Sequence, residues 1–347
     1  MATALSGVAL IAQDTPNAQD EPIHTLHVYT NLIQIPTLVL GPNRERIKTP
    51  IVESRFSVSI DAGPWFRATH VRQEGDDPIS LSILLDVSGD SANLMAKMTE
   101  AIAGLEPVYL HPKDHVSIYA LDCSLFRSLN DVPAYSARLK IGVEEALESW
   151  TTRMRDRRKA TCSERAHLWD AIGHLAAELE KLPGRRVLLV VSQGADDGST
   201  HTWNEVRAYA QSAGVAIFGV TYVPDYARDT GHAFSRWSSE DPFHLLCELS
   251  GGMVFLSSTR SLQEQLKTFT TTVRERYIVE FPRPSNATSG EHGMQVKIAK
   301  GDLDFVRSAG ISVPIPDPGL LADPTTVSVG PQQTPEMGNR HTMSKPQ

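Results

Sequence analysis

The chain has 347 residues, of which 41% are hydrophobic and 21% charged, and its formal net charge is -8. This composition is typical of a globular protein with one large domain, or a medium domain plus a smaller one. The acidic balance argues against a general binder of nucleic acid or anionic membranes, and no run of about 18 apolar residues predicts a membrane span.

The two ends of the sequence differ from the part between them. Residues 1–22 begin with the apolar run MATALSGVALIAQD, which has the length of a signal-peptide core but no preceding Lys or Arg. Both a signal remnant and a disordered tail fit this segment. Residues 314–347 are rich in Pro, Gly, Ser and Thr without periodicity, which predicts a second disordered tail.

Between the tails, short apolar runs alternate with amphipathic stretches. The apolar runs, which predict strands, are 79–87, 114–123, 185–192, 215–223 and 253–257. The amphipathic stretches, which predict helices, are 91–105, 137–150, 165–182, 202–214, 242–252 and 261–277. Because the strands are apolar on both faces, we expect an α/β fold over 79–276, with a doubly wound, mostly parallel sheet covered by helices on both sides.

The segments flanking this α/β domain have a different pattern. Residues 23–78 and 277–313 contain alternating or β-branched runs separated by Pro, Gly and Asn, which predict short strands. Neither segment has enough strands for a stable sheet of its own. We therefore expect the two to pair as one small β domain, with the α/β domain inserted between them.

Polar residues follow the first strand of the predicted sheet, within the run LLDVSGD. Open α/β sheets bind ligands beyond the carboxyl ends of their strands, which is where Asp86, Ser88 and Asp90 fall. Here the sequence resembles von Willebrand factor type A domains, whose metal loop reads Asp-x-Ser-x-Ser. The resemblance extends to HLWDAI and to LLVVSQGADDGS, and it covers roughly residues 25–313, as in a bacterial family with a Rossmann-like domain flanked by strands.

The resemblance implies a metal-ion-dependent adhesion site, but a degenerate one. In the family, two serines, a threonine and two aspartates surround the ion, and Mg²⁺ suits such an oxygen shell. Asp86 and Ser88 match, whereas Asp90 replaces the second serine, Ala166 the threonine and Gln193 the second aspartate. We therefore expect no cofactor, or weakly bound Mg²⁺ held by Asp86, Ser88 and Asp90 with water.

Each of these acids also has an interpretation without a ligand. Asp86 and Ser88 could bond to the following turn or cap the helix near Ser91. Asp196 and Asp197, which we place on the same ligand face with Gln193 and Ala166, also fit a solvated turn. Asp170 lies in the first turns of its helix, where the helix dipole favours a carboxylate.

The three cysteines lack the spacing of a zinc site. Cys123 and Cys162 both fall near the carboxyl-end face, where a disulfide could join them in an oxidising compartment, and two free thiols are the alternative. Cys247 lies in the apolar run FHLLCEL, which predicts a buried free thiol.

The sequence has no phosphate-binding glycine loop, no His-Glu-x-x-His and no Gly-x-Ser-x-Gly. We therefore expect a non-enzymatic module that binds a protein partner through the loops around Asp86, with no nucleic acid and no membrane span. A metal-dependent hydrolase using Asp86 and Asp90, and a purely structural scaffold, are the alternatives.

The N-terminal run and the resemblance together favour an extracytoplasmic location, periplasmic or secreted. If the N-terminus is no signal, the location is cytoplasmic.

Overall fold

A computed structural model describes residues 28–29, 32–42, 44–87, 91–122, 124–155, 167–225, 241–283, 290–299, 305–308, 312–313 and 327–328. The strands are β1 (Val28–Tyr29), β2 (Leu32–Leu40), β3 (Phe56–Ile60), β4 (Trp65–Arg67), β5 (His70–Gln73), β6 (Ile79–Asp86), β7 (His115–Leu121), β8 (Leu125–Pro133), β9 (Arg185–Val191), β10 (Val215–Tyr222), β11 (Val254–Ser257), β12 (Tyr277–Pro282), β13 (Gly290–Glu291), β14 (Met294–Ile298), β15 (Phe305–Ser308), β16 (Ser312–Val313) and β17 (Val327–Ser328). The α-helices are α1 (Ala92–Ala103), α2 (Ser136–Ala146), α3 (Glu148–Arg155), α4 (Leu168–Glu180), α5 (Trp203–Ser212), α6 (Pro242–Leu249) and α7 (Leu262–Arg274).

A six-stranded sheet forms the centre of the α/β part, in the order β11-β10-β9-β6-β7-β8. All neighbouring strands are parallel except β7 and β8. The chain winds outward from β6 in one direction and from β9 in the other, so the strand order reverses between β6 and β9. This is the doubly wound, mostly parallel α/β sheet predicted from the sequence, which is confirmed.

Helices cover both faces of this sheet. On one face, odd-numbered residues of β6 such as Ile83 pack with apolar residues of α1, α2 and α7. On the other face, Leu84 packs with α4, α5 and α6. Every residue of β6 is buried, and five of its eight residues are Ile or Leu.

Strand β8 is the one element of the main sheet that the sequence analysis missed. It is an antiparallel edge strand, none of its residues is fully buried, and its pairing with β7 is irregular near Ile118. An edge strand needs no second apolar face, so its sequence, LFRSLNDVP, lacks the pattern that marked the other strands. The predicted helix 137–150 is likewise two helices, α2 and α3.

The segments before and after the α/β part pair with each other. Strand β12 lies between β2 and β5 in an antiparallel sheet whose other edge is β15. A second antiparallel sheet has the order β14-β3-β4, and a shared apolar core includes Phe56, Val58, Val279 and Phe281. The antiparallel sheets expected from the flanks are therefore present. The exact domain boundaries stay predictions.

Charged side chains join the antiparallel sheets to the α/β part. Arg276, just before β12, pairs with Glu74, just after β5, and its guanidinium lies over the Phe218 ring of β10. Arg44 contacts Glu248 of α6.

Cys247 is a buried free thiol, as predicted, and burial raises the pKa of this thiol well above its ordinary value. Within the described ranges, every helix is too short or too polar to cross a bilayer.

Candidate functional site

The point at which the strand order reverses lies between the carboxyl ends of β6 and β9. In doubly wound sheets the adjacent loops diverge at this point and leave a crevice for ligands. Asp86 ends β6 and Ser192 directly follows β9, so both side chains belong to this crevice. Their exposed fractions are only 2% and 1%.

A hydrogen bond joins these two residues. The Ser192 hydroxyl donates to Asp86 Oδ2 over 2.6 Å, and the same hydroxyl accepts the Gly194 N–H over 3.0 Å. The Ser192 backbone carbonyl in turn accepts from Thr221 Oγ1. A buried carboxylate needs such donors because burial removes its hydration. Ser192 therefore anchors the loop after β9 to the end of β6.

The next two residues form a tight turn. The Gln193 side-chain amide donates to the Tyr222 carbonyl over 3.1 Å, so this amide is committed to β10. Gly194 has φ of 77°, and a Cβ there would lie 2.5 Å from the Phe243 Cβ. Only glycine fits this position, because the left-handed backbone and the close approach of Phe243 both exclude a side chain.

The Asp196 carboxylate holds the loop after β9 against the start of α4. It accepts the Trp169 N–H over 3.2 Å and the Ser199 N–H over 3.3 Å, while Ser199 Oγ accepts the Asp170 N–H over 3.2 Å. The first N–H groups of a helix have no partner inside the helix. Asp196 and Ser199 therefore cap α4 from a neighbouring loop.

Asp170 completes this network. Its carboxylate accepts the Thr200 N–H over 2.8 Å and the His201 N–H over 3.0 Å, and it lies 2.7 Å from His201 Nδ1. Burial by itself would raise the pKa of this carboxyl, but the hydrogen bonds from Thr200 and His201 outweigh it and hold the pKa well below its usual range. The ionised Asp170 side chain thus holds the loop after β9 in place. Its position in the helix alone did not indicate this role.

Asp197 is exposed beside this network. On the other side of β6, Ser149 of α3 donates to Asp122 Oδ2 over 2.9 Å, which ties α3 to the end of β7. Ser91 precedes α1 and is buried, and its hydroxyl neither caps the helix nor bonds to another described residue.

Several predicted residues lie outside the described part of the chain: Ser88, Asp90, Ala166, Cys123 and Cys162. The structure therefore brings together Asp86, Gln193 and Asp196 at one end of the sheet, and the predicted disulfide stays a prediction. Sequence reasoning missed Ser192, Ser199, Thr200 and His201. The only signal for them is the run SQGADDGSTHT, which is rich in hydroxyl side chains directly after an apolar strand.

The described donors at this end do not form a cation shell. Among the described residues, no three His, Cys, Asp or Glu side chains are grouped so that they could hold a metal ion. Gln193 faces a backbone carbonyl, and the carboxylates of Asp170 and Asp196 accept N–H groups of neighbouring loops. These contacts organise the face through hydrogen bonds, so we derive no chemistry through a metal.

His201, Asp170 and Thr200 do not form a catalytic triad. Asp170 and Thr200 both approach the same ring nitrogen of His201, Nδ1, at 2.7 and 3.3 Å. A triad needs the acid on one ring nitrogen and the nucleophile on the other.

No protein-family model matches the sequence, and no curated protein matches it. Among solved structures, the conserved hypothetical protein BatB from Bacteroides thetaiotaomicron is similar over 56% of this chain and 98% of its own, with 14% identity and a TM-score of 0.40. Proximal thread matrix protein 1 from the mussel byssus is similar over 62% of this chain and 50% of its own, with 11% identity and a TM-score of 0.43. An aerotolerance-related membrane protein from Bacteroides fragilis aligns over 56% and 98%, with 13% identity and a TM-score of 0.38.

The expected α/β fold is confirmed, since strands and helices alternate around one mostly parallel sheet. The resemblance to von Willebrand factor type A domains stays a prediction from the sequence motifs. The resemblance does not extend to an activity.

Proposed function

We propose that this protein is a non-enzymatic module that binds a protein partner through the carboxyl-end face of its main sheet, with weak or absent dependence on divalent metal. The main observation that supports this proposal is the hydrogen bond from Ser192 to Asp86. It lies where the fold places ligands, and it supplies the buried carboxylate with a donor from the protein itself.

Asp86 acts in this proposal as a support. Because it is 2% exposed, it anchors the loop after β9 through Ser192 and does not itself reach the partner. The exposed residues of the second loop, Asp197, Thr200 and His201, form the contact surface. The network of Asp170 and Asp196 fixes their backbone before binding, which reduces the entropy lost on association.

The hydrolase alternative has less support. At this face Asp170 and Thr200 approach the same ring nitrogen of His201, so these three residues do not pair a nucleophile with a general base. A panel of hydrolase substrates with Mg²⁺ or Mn²⁺ tests this alternative. Turnover that disappears in Asp86→Ala would favour an enzyme.

Partner capture tests the binding face. The full chain serves as bait for cross-linking in an envelope fraction of the source cell, with Mg²⁺ and with a chelator. We expect Asp197→Arg to lower capture of the partner by about tenfold or more, because the reversed charge opposes the complementary surface.

The matched control is Asp76→Arg, an exposed acid in the turn before β6, at the other end of the sheet. It should capture the same partner as the unaltered chain, with or without chelator. Capture that survives Asp197→Arg, or that requires Mg²⁺, would refute the proposed face or its independence of metal.

A further inference from the structure

A second polar cleft lies at the opposite end of the main sheet. It has a volume of about 210 Å³ and forms where the amino ends of β9 and β10 meet β2 and the residue before β12. Three arginines line it, Arg185, Arg186 and Arg276, together with Gln34 and two glycines. No acidic residue is among the described residues that line it.

Arg276 is the most buried of the three, with 1% of its surface exposed. Its Nη2 donates to Glu74 Oε2 over 3.1 Å, and the guanidinium carbon lies 5.7 Å from the centroid of the Phe218 ring. Its Nε and Nη1 make no hydrogen bond to any group in the described part of the chain. Buried donors of a charged group are rarely left unpaired, because each costs free energy on folding. Arg276 is therefore ion-paired with Glu74 and still has two nitrogens without a hydrogen-bond partner among the described residues.

Arg186 is fixed by neutral groups. Its Nε donates to the Leu182 carbonyl over 3.0 Å and its Nη1 to the Ala213 carbonyl over 2.8 Å. These bonds hold the guanidinium in one place at the start of β9 without neutralising it. The Arg186 guanidinium is thus preorganised to bind an anion, because little side-chain entropy is lost when the anion binds.

Arg185 has a distant and shared acidic partner. Its Nη2 lies 3.6 Å from Asp77 Oδ2, and the same oxygen lies 2.7 Å from Arg72 Nη2. Arg185 Nη1 lies 3.4 Å from Gln34 Oε1, and the Gln34 side-chain N–H donates to Glu280 Oε1. Two carboxylates, Glu74 and Asp77, thus face the three arginines that line the cleft, and Arg72 adds a fourth cation beside them.

We propose that this cleft binds a small oxyanion, the phosphate or carboxylate group of a small molecule, through Arg185 and Arg186 and the field of Arg276. Guanidinium groups suit such anions because they donate several N–H groups to paired oxygens. The volume is below the range of about 300–1,000 Å³ usual for drug-sized ligands, so the ligand is a small one. Gly184 and Gly214 have φ of 80° and 64° and no side chain, so an anion can approach the backbone closely there.

The site is independent of the carboxyl-end face. It joins the α/β part to the antiparallel sheets, so a bound anion would contact both and stabilise their junction. Its selectivity is testable because the chain has a formal net charge of -8, which opposes unspecific binding of anions.

Titration calorimetry of the full chain with inorganic phosphate and, separately, acetate tests the proposal, at an ionic strength kept constant with NaCl. We expect a dissociation constant of about 1 mM or tighter for one of the two. Arg185→Gln and Arg186→Gln should each weaken binding by about tenfold or more, as expected when a hydrogen bond to a charged group is lost. Stronger binding of phosphate than of acetate assigns a phosphate ligand, and the reverse assigns a carboxylate.

The matched control is Arg260→Gln, whose side chain is 87% exposed and follows β11 at the other end of the sheet. It should bind like the unaltered chain. If Arg186→Gln fails to fold, because its bonds to two carbonyls are lost, Arg185→Gln alone decides. Absence of binding by the unaltered chain, or equal binding by Arg185→Gln, overturns the proposal.

Discussion

Replacing Arg276 with methionine should lower the free energy of unfolding by about 3–5 kcal/mol, because it leaves the Glu74 carboxylate buried without its cation. Glu74 is 3% exposed, and its oxygens lie 2.9 and 3.1 Å from Arg276 Nη2. Methionine fills much of the space of the arginine stem, so the loss reflects charge more than a cavity. Denaturant unfolding measured by circular dichroism gives the difference.

Two further variants separate this effect from general damage. Arg276→Met combined with Glu74→Leu should recover most of the loss, because replacing both members of a buried pair with apolar groups is often neutral. Arg67→Met, at an exposed position of β4, should cost little. A double variant as unstable as Arg276→Met would contradict the explanation.

The same pair predicts a dependence on pH. The pKa of the Glu74 carboxyl is raised because burial disfavours its charged form, and this outweighs the opposing attraction of Arg276. When a carboxyl has a higher pKa in the folded state, the free energy of unfolding falls as the pH rises. The fall begins near the pKa of the unfolded state, about 4.3, and ends above the pKa of the folded state. Without Arg276 the rise in pKa is larger. The deficit of Arg276→Met should therefore be greater at about pH 8 than at about pH 5.

Replacing Ser192 with alanine should cost about 1.5–3 kcal/mol, as expected for a hydrogen bond to a charged, buried group. The change removes the donor to Asp86 and the acceptor of the Gly194 N–H. We also expect faster hydrogen exchange at Gly194, because its amide loses its partner. Denaturant unfolding and amide exchange measure the two effects.

Ser82→Ala is the control for this change. Ser82 is as buried as Ser192, at 1% exposed, and lies four residues before Asp86 on the same strand. It should cost clearly less. Equal costs for both serines would mean that the bond to Asp86 adds nothing specific.

Much of the fold could be predicted because burial imposes a pattern on the sequence. Strand β6 is buried on both faces, and its five Ile and Leu residues mark it as a core strand. Strand β8 lies at an edge, and its mixed residues obey no such constraint. Local patterns therefore located the elements that form the core and missed the one that is half exposed.

The candidate site was predictable only in part. The fold class placed Asp86 at the carboxyl end of its strand, but its partner Ser192 lies 106 residues away in the sequence. Arg276 and Glu74 are separated by 202 residues, and neither stood out in its own segment. Contacts between distant residues follow from the strand order, which no local pattern specifies. Gln193 was interpreted as a lost metal ligand, and its bond to the Tyr222 carbonyl could not be foreseen.

We propose that hydrogen bonds, and not a metal ion, organise the face around Asp86. Unfolding of the full chain in about 10 mM Mg²⁺ and in chelator, together with titration calorimetry, tests this. A dissociation constant above about 1 mM, which we predict, adds at most about 1.4 kcal/mol to the free energy of unfolding at that concentration. A gain of about 5 kcal/mol, which corresponds to a dissociation constant of about 1 μM, would mean that a metal ion organises this face.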